Sequence, residues 1–250
     1  MKKIAFLGGG KIGRSMISHV LEEKSAEIAF VYDPFLKEET VSGIEVKREL
    51  KEDDFTGLDL IVECANASVL VEYAQMILKH CDLMPFSMTA FRDASLTESA
   101  KRTAQENGHT LYFPHGAILG LDGIFDGHRV FTKVSIETIK NPASLGRTDT
   151  VRTVLFEGSA YEATGLYPRN VNVHAAVALA GIGFEKTRSK IISDPDVTTN
   201  EHIIHLEGEG IDFTIHVTSF AAGAVSGKYV PYSACGSLDR VLGSAEVRFV

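Results

Sequence analysis

"KIAFLGGGKIGRSMISHVLEE", residues 3–23, decides the fold of this chain. A short apolar run, Ile4 to Leu7, leads into Gly8-x-Gly10-x-x-Gly13 and then into a helical period with Ile12, Met16 and Val20 on one face. Each glycine meets a physical need. The first permits a tight turn, the second lets the backbone approach a pyrophosphate, and the third lets helix and strand pack closely. The helix start then offers free N–H groups and the positive end of its dipole to an anion. A second strand, "EIAFVYD", ends at Asp33, where a carboxylate can accept hydrogen bonds from an adenine-ribose diol. Together these features predict a dinucleotide site with Gly8, Gly10, Lys11, Ile12, Gly13 and Asp33 as contacts.

The alternation continues beyond this unit. "LDLIVECA" (58–65) is nearly continuous in apolar residues, as a strand buried on both faces should be. "ASVLVEYAQMILKH" has helical period, "LMPFSMTAF" (83–91) reads as a strand, "ASLTESAKRTAQENG" as a surface helix, and "TLYFPHGA" as a further strand. The charged "KRELKEDD" (47–54) reads as a solvated loop or edge. Strands alternating with helices predict an α/β fold, a Rossmann-type doubly wound parallel sheet over residues 1–117. Ligands of such sheets sit at the C-terminal ends of the strands, which adds Ala65, Asn66, Thr89, Ala90 and Ala117 as candidate cofactor contacts.

From residue 118 the texture changes. "RVFTKVSIETIK" (129–140), "TVLFEG" and "GFEKTRSKIISD" are strand-like, and "SAYEATGLY" and "PRNVNVHAAVALAG" suit helices. "EHIIHLEGEGIDFTIHVTSF" reads as a hairpin around Gly208-x-Gly210. Residues 118–250 are therefore expected to form a second, α+β domain carrying the chemistry and the dimer contact, with a helix near 232–244 that returns to the first domain. On a helix, His202 and His205 would share a face and could bind a metal together. On a strand their odd separation sends them to opposite faces. The pattern favours strands, so no shared metal is expected. Periodicity leaves open which of the two serves as an acid/base. His19, His80, His109, His128, His174 and His216 are read as packing or surface residues.

Composition narrows the function further. The 250 residues are 44% hydrophobic and 23% charged, with a net charge of −8 and no basic block, which argues against a nucleic-acid partner. The N-terminal apolar run stops at Leu7, short of a secretory core. The longest apolar stretch, "VNVHAAVALAGIGF", is broken by His174, which argues against a membrane span. Three cysteines without CxxC spacing point to reduced thiols and a cytoplasmic location.

The segments "GGGKIG", "VECANASVLVEYA", "SMTAF", "FPHGAILGLDG", "ETIKNPASLG", "VLFEGSAYEATGLYPRNVNVHAAVALAGIGFEKT" and "DPDVTTNEHIIHLEG" resemble those of the L-aspartate dehydrogenase family. That resemblance implies NAD, or NADP, as cofactor, and the conversion of L-aspartate through iminoaspartate to oxaloacetate and ammonia. It also implies a homodimer and a link to pyridine nucleotide biosynthesis. It places the catalytic histidine at His202 and the asparagine at the nicotinamide end at Asn172, and it includes Ala117. Two substrate carboxylates need cations, and Lys140, Arg169 and Lys186 lie in resembling segments. The alternatives are another small reductase of the dihydrodipicolinate or homoserine type, or a nucleotide-sensing protein without turnover.

Overall fold

Four consecutive residues with no solvent exposure, Ile4 to Leu7, put the first strand at the centre of its sheet. The computed structural model describes residues 1–168, 170–220 and 227–244. Two compact units emerge: Met1–Pro114 with the C-terminal helix, and His115–Val230.

The first unit contains β1 (Lys2–Leu7), α1 (Lys11–Glu23), β2 (Ala26–Tyr32), β3 (Thr40–Val41), β4 (Ile44–Lys47), β5 (Leu60–Glu63), α2 (Ala67–His80), β6 (Asp82–Pro85) and α3 (Ala94–Asn107). The sheet order is β3-β4-β2-β1-β5-β6, parallel except for the small β3–β4 pair. From β1 the chain moves first to β2 on one side and later to β5 on the other. The order therefore reverses between β1 and β5, which is where such sheets open a ligand crevice.

Two strands read from the sequence are shorter than expected. The run 83–91 is a strand only to Pro85 and then turns into a 3-10 helix, Met88–Arg92. Pro85 has no N–H for a ladder, and Ser87 donates its N–H to the Glu63 carboxylate instead. Of "TLYFPHGA", only Leu111 pairs, in a single bridge to Leu83. The stretch 47–54 leaves β4 as a loop and enters a 3-10 helix, Glu52–Phe55, closed by the Lys47–Asp54 ion pair.

The second unit holds α4 (Leu121–Gly127), β7 (Phe131–Lys140), β8 (Thr153–Ser159), α5 (Ala160–Leu166), α6 (Asn172–Ala180), β9 (Arg188–Ser193), β10 (Thr199–Gly208) and β11 (Ile211–Phe220). Its sheet order is β11-β10-β7-β9-β8, with β7 and β9 parallel and the other pairs antiparallel. β10 and β11 form the expected hairpin, turning at Glu209–Gly210 with Gly210 at a φ of 75°. Along β10 the buried residues are Asn200, His202, Ile204 and Leu206, and their neighbours are only partly covered. Period-two alternation thus gives one core face and one more open face.

The last helix, α7 (Val230–Leu242), belongs with the first unit. Its Ala234 and Leu238 join the core cluster of Ile4, Met16, Val20 and Leu60. His19 Nε2 bonds Asp239 at 2.9 Å, and Lys2 Nζ donates to the Val241 carbonyl at 2.9 Å. Among the described residues, no helix is long and apolar enough to cross a membrane.

Candidate active site

In the first unit a cavity of about 310 Å³ gathers Gly8, Gly10, Asp33, Ala65 and Asn66 with Tyr32, Leu36, Cys64 and Val69. It opens at the ends of β1 and β5, and a volume of that order suits a small-molecule cofactor. Gly8 has a φ of 112°, and a β-carbon there would lie 2.8 Å from the Ala65 nitrogen. Gly13 has equally little room. At Gly10, by contrast, a β-carbon would meet no protein atom within 4 Å, so folding alone does not demand glycine there. Its backbone is left open to the approach of a ligand. Gly10 caps α1 without a side-chain acceptor, so Lys11, Ile12 and Gly13 form a first turn whose N–H groups suit an anion.

Asp33 is set into this turn. Its Oδ2 accepts the Gly9 N–H at 3.0 Å, and its Oδ1 accepts those of Phe35 and Leu36 at 3.0 and 3.3 Å. The carboxylate is thereby fixed beside the glycine loop with lone pairs to spare for a ribose diol. Arg14 is already engaged, by the Gly9 carbonyl at 3.0 Å and Glu38 at 2.9 Å. Pyrophosphate-sized space, an open helix start and an anchored acid together fit a dinucleotide.

Glu63, which the sequence reading passed over, holds this site together. Fully buried at the end of β5, it accepts the Ala65 N–H at 2.8 Å, the Ser87 N–H at 3.1 Å and the Ser87 hydroxyl at 2.8 Å. Burial pushes its carboxyl up to about 7 despite those donors. The signal was an acid within the apolar run "LIVECA". Asn66 caps α2, accepting from the Ser68 and Val69 N–H groups. Thr89 and Ala90 are buried in the 3-10 helix and do not line the cavity.

In the second unit the core face of the sheet carries a polar chain. Thr138 of β7 stands opposite His202 of β10 in the ladder. Its Oγ1 lies 2.9 Å from His202 Nδ1 and 2.7 Å from His174 Nε2 on α6. His174 Nδ1 in turn meets the Ser189 hydroxyl at 2.5 Å. All four residues are at most 4% exposed. Lys140, two residues beyond Thr138 and so on the same face, is 3% exposed. Burial alone lowers its ammonium to about 8. Burial, and then the Lys140 charge, bring His202 down to about 3. His174 is lowered well below its ordinary range by burial, with both of those neighbours adding to it. Both imidazoles are therefore neutral at pH 7.

His205 faces the other way, as odd spacing requires. It bonds Thr214 at 3.0 Å and Glu207 at 3.1 Å. With Asp212 these side chains bring three potential ligand atoms together. Glu207, however, is bonded to Lys133 at 2.6 Å, so the group is a surface ion-pair cluster. His174 and Thr138 were missed in the sequence. A histidine inside the apolar "VNVHAAVALA" does signal a buried polar group that must find a partner. The partner comes from a distant strand, which periodicity cannot identify.

The remaining candidates are scattered. Asn172 is exposed at the first position of α6, and Ala117 is half-buried in a turn of the second unit. Lys186 is exposed in the turn before β9. Arg169 lies outside the described residues.

A family profile described as "Homoserine dehydrogenase, NAD binding domain" matches residues 8–114, and one described as "Aspartate dehydrogenase, C-terminal" matches residues 126–241. An L-aspartate dehydrogenase of Methanococcoides burtonii is 35% identical over 89% of either chain. One of Methanosarcina acetivorans is 33% identical over 99% of either chain. Among solved structures, an aspartate dehydrogenase of Thermotoga maritima superposes with a TM-score of 0.82 at 29% identity, covering 100% of this chain and 99% of that one. A homoserine dehydrogenase of S. aureus shares the fold, with a TM-score of 0.59 at 14% identity over 100% of this chain and 79% of that one.

Proposed function

The chain belongs to the aspartate dehydrogenase family, and on that premise we propose that it oxidises L-aspartate to iminoaspartate, which water converts to oxaloacetate and ammonia. It is an oxidoreductase that uses a nicotinamide cofactor. When bound, that cofactor accepts hydride from the substrate α-carbon. The observation that carries this reading is the pairing, on one buried sheet face, of neutral His202 with Lys140, an ammonium whose only perturbation is its burial. A buried cation with no counter-ion among the described residues suits a substrate carboxylate.

Lys140 binds one carboxylate of the amino acid. His202 meets the reacting group of the substrate through its Nε2, since Nδ1 is held by Thr138. Ala117 and Asn172 contact the nicotinamide end. Arg169 and Lys186 remain candidates for the second carboxylate on the strength of the resemblance alone. Thr89 and Ala90 stay cofactor candidates only by position near a strand end. The anchored Asp33 and the committed Arg14 support NAD over NADP, because a carboxylate accepts a ribose diol but repels a 2′-phosphate.

The protein acts as a homodimer through its second unit, a reading supported by the resemblance and by the ten-residue edge strand β11 with exposed Phe220. Three free cysteines support a cytoplasmic setting. Supply of the imine to pyridine nucleotide synthesis follows from the resemblance.

The test is spectrophotometric. L-aspartate should drive NADH formation, and oxaloacetate should consume NADH only when ammonia is present. NADH oxidation by oxaloacetate without ammonia would indicate a 2-hydroxy-acid dehydrogenase. Tight NAD binding with no turnover on any dicarboxylate would indicate a sensor.

A further inference from the structure

We infer that His174 and Ser189, acting through the Thr138 hydroxyl, lock His202 in the tautomer that carries its proton on Nε2, so that His202 meets the substrate as a neutral hydrogen-bond donor. This deepens the reading above and rests on His202 being the group that meets the substrate.

The proton positions along Ser189–His174–Thr138–His202 follow one from the next. Each neutral imidazole has one N–H and one lone pair, and each hydroxyl has one proton to give. Among the described residues, Ser189 Oγ has one hydrogen-bond partner, His174 Nδ1 at 2.5 Å. A buried hydroxyl with a single partner that can accept will donate to it, because an unmade donor bond there costs the full desolvation of the group. His174 Nδ1 is therefore the lone pair, and its proton sits on Nε2. That N–H donates to Thr138 Oγ1 at 2.7 Å. The Thr138 proton is then left for His202 Nδ1 at 2.9 Å. His202 is thus an acceptor at Nδ1 and a donor at Nε2. Reversing the chain would leave the Ser189 proton with no acceptor.

Charge cannot bypass this arrangement. Both imidazoles are buried and share the face with Lys140, so neither takes up a second proton near neutrality. The donor at Nε2 suits the keto oxygen of oxaloacetate. As the ammonia lone pair bonds to that carbon, the π electrons of the C=O settle on the oxygen, where Nε2–H stabilises them. The same contact serves the reverse step, when the oxygen re-forms its double bond and ammonia leaves. His174, Ser189 and Thr138 are positioning residues, since they act only through His202.

Nitrogen-15 NMR of imidazole-labelled protein reads the tautomer directly and needs no turnover. Wild-type His202 should show a protonated Nε2 and an unprotonated Nδ1. Thr138→Val, which keeps shape and removes the hydroxyl, should give a mixture of tautomers and lower kcat by about 10²-fold, the lower end of acid–base contributions. Its KM for NAD should not change. Thr138→Ser should restore both signatures. Ser189→Ala, two links from His202, should shift the tautomer in the same direction with a smaller loss of kcat. Folding of each variant is checked by its thermal midpoint. Wild-type His202 protonated on Nδ1 would overturn the inference. So would a tautomer that ignores both Thr138→Val and Ser189→Ala in folded protein. Near-normal turnover by His202→Ala would instead remove the underlying reading, whatever the tautomer.

Discussion

Gly13 and Gly8 meet backbone to backbone: a β-carbon on Gly13 would lie 2.2 Å from the Gly8 carbonyl oxygen. Gly13→Ala must push α1 away from the turn, and overpacking of this kind costs about 1–3 kcal/mol. Stability without cofactor should fall by that amount, and NAD affinity with it. Gly10→Ala meets nothing and should leave stability unchanged while weakening NAD binding. Denaturant unfolding and calorimetric titration separate the two. Equal stability losses in both variants would contradict this division of roles.

His202→Ala should lower kcat by about 10²–10⁴-fold with cofactor affinity preserved. His205→Ala should do far less, since its side chain belongs to the open face with Glu207 and Thr214. Steady-state kinetics of the pair is the check, and equal losses would sink the assignment.

Asp33→Ser should move cofactor preference toward NADP. Removing a charge that repels a phosphate in a partly screened site is worth roughly 1 kcal/mol or more, about fivefold in the ratio of kcat/KM values. A wild-type protein that already prefers NADP would contradict this role for Asp33.

Lys140→Met should raise the KM for aspartate by about 10- to 100-fold, the worth of a lost charge-assisted hydrogen bond. In the wild type, KM should rise above pH 8 as Lys140 loses its proton. Over the same range kcat should rise, because the substrate amine must be neutral before hydride leaves. A KM profile of Lys140→Met still bending at pH 8 would assign that titration to another group.

Acid should destabilise the second unit through its histidines. His202 titrates near 3 in the folded chain, against about 6.5 unfolded. Between those values the unfolded state binds more protons, so the stability present above pH 6.5 is lost as pH falls toward 3. His174 acts in the same direction. Glu63 opposes them, since its carboxyl is raised to about 7, so its burial costs least at low pH. His202→Asn should therefore show a smaller drop in thermal midpoint between pH 7 and pH 4 than the wild type. Glu63 cancels in that comparison. An unchanged difference would mean that His202 is not held neutral.

How much of this was legible depended on the range of the interaction that decides it. β1, β2 and β5 could be read because central parallel strands are apolar throughout. Gly8, Gly10 and Asp33 could be read because one local motif carries all three. The strand at 83–91 was overextended because its end is set by Glu63, 24 residues earlier, capturing Ser87. The two faces of β10 followed from alternation, yet the choice between His202 and His205 required knowing which face α6 covers. Lys140 and Lys186 are alike in sequence. Lys140 is buried at the end of β7, whereas Lys186 lies exposed in the turn before β9.

α7 has a further consequence for how the chain is made. Ala234 and Leu238 fill core space over Ile4, Met16 and Val20, so the nucleotide unit is completed by a segment made only after the whole second unit. Residues 115–230 are synthesised in between, which takes on the order of ten seconds at about 5–20 residues per second. The second unit is continuous and can fold as it emerges. The first must wait with an apolar groove exposed, open to chaperones and to neighbouring chains on the same message. Nicotinamide cofactor can then engage a finished cradle only once α7 has emerged, so shorter nascent chains should not deplete the free pool.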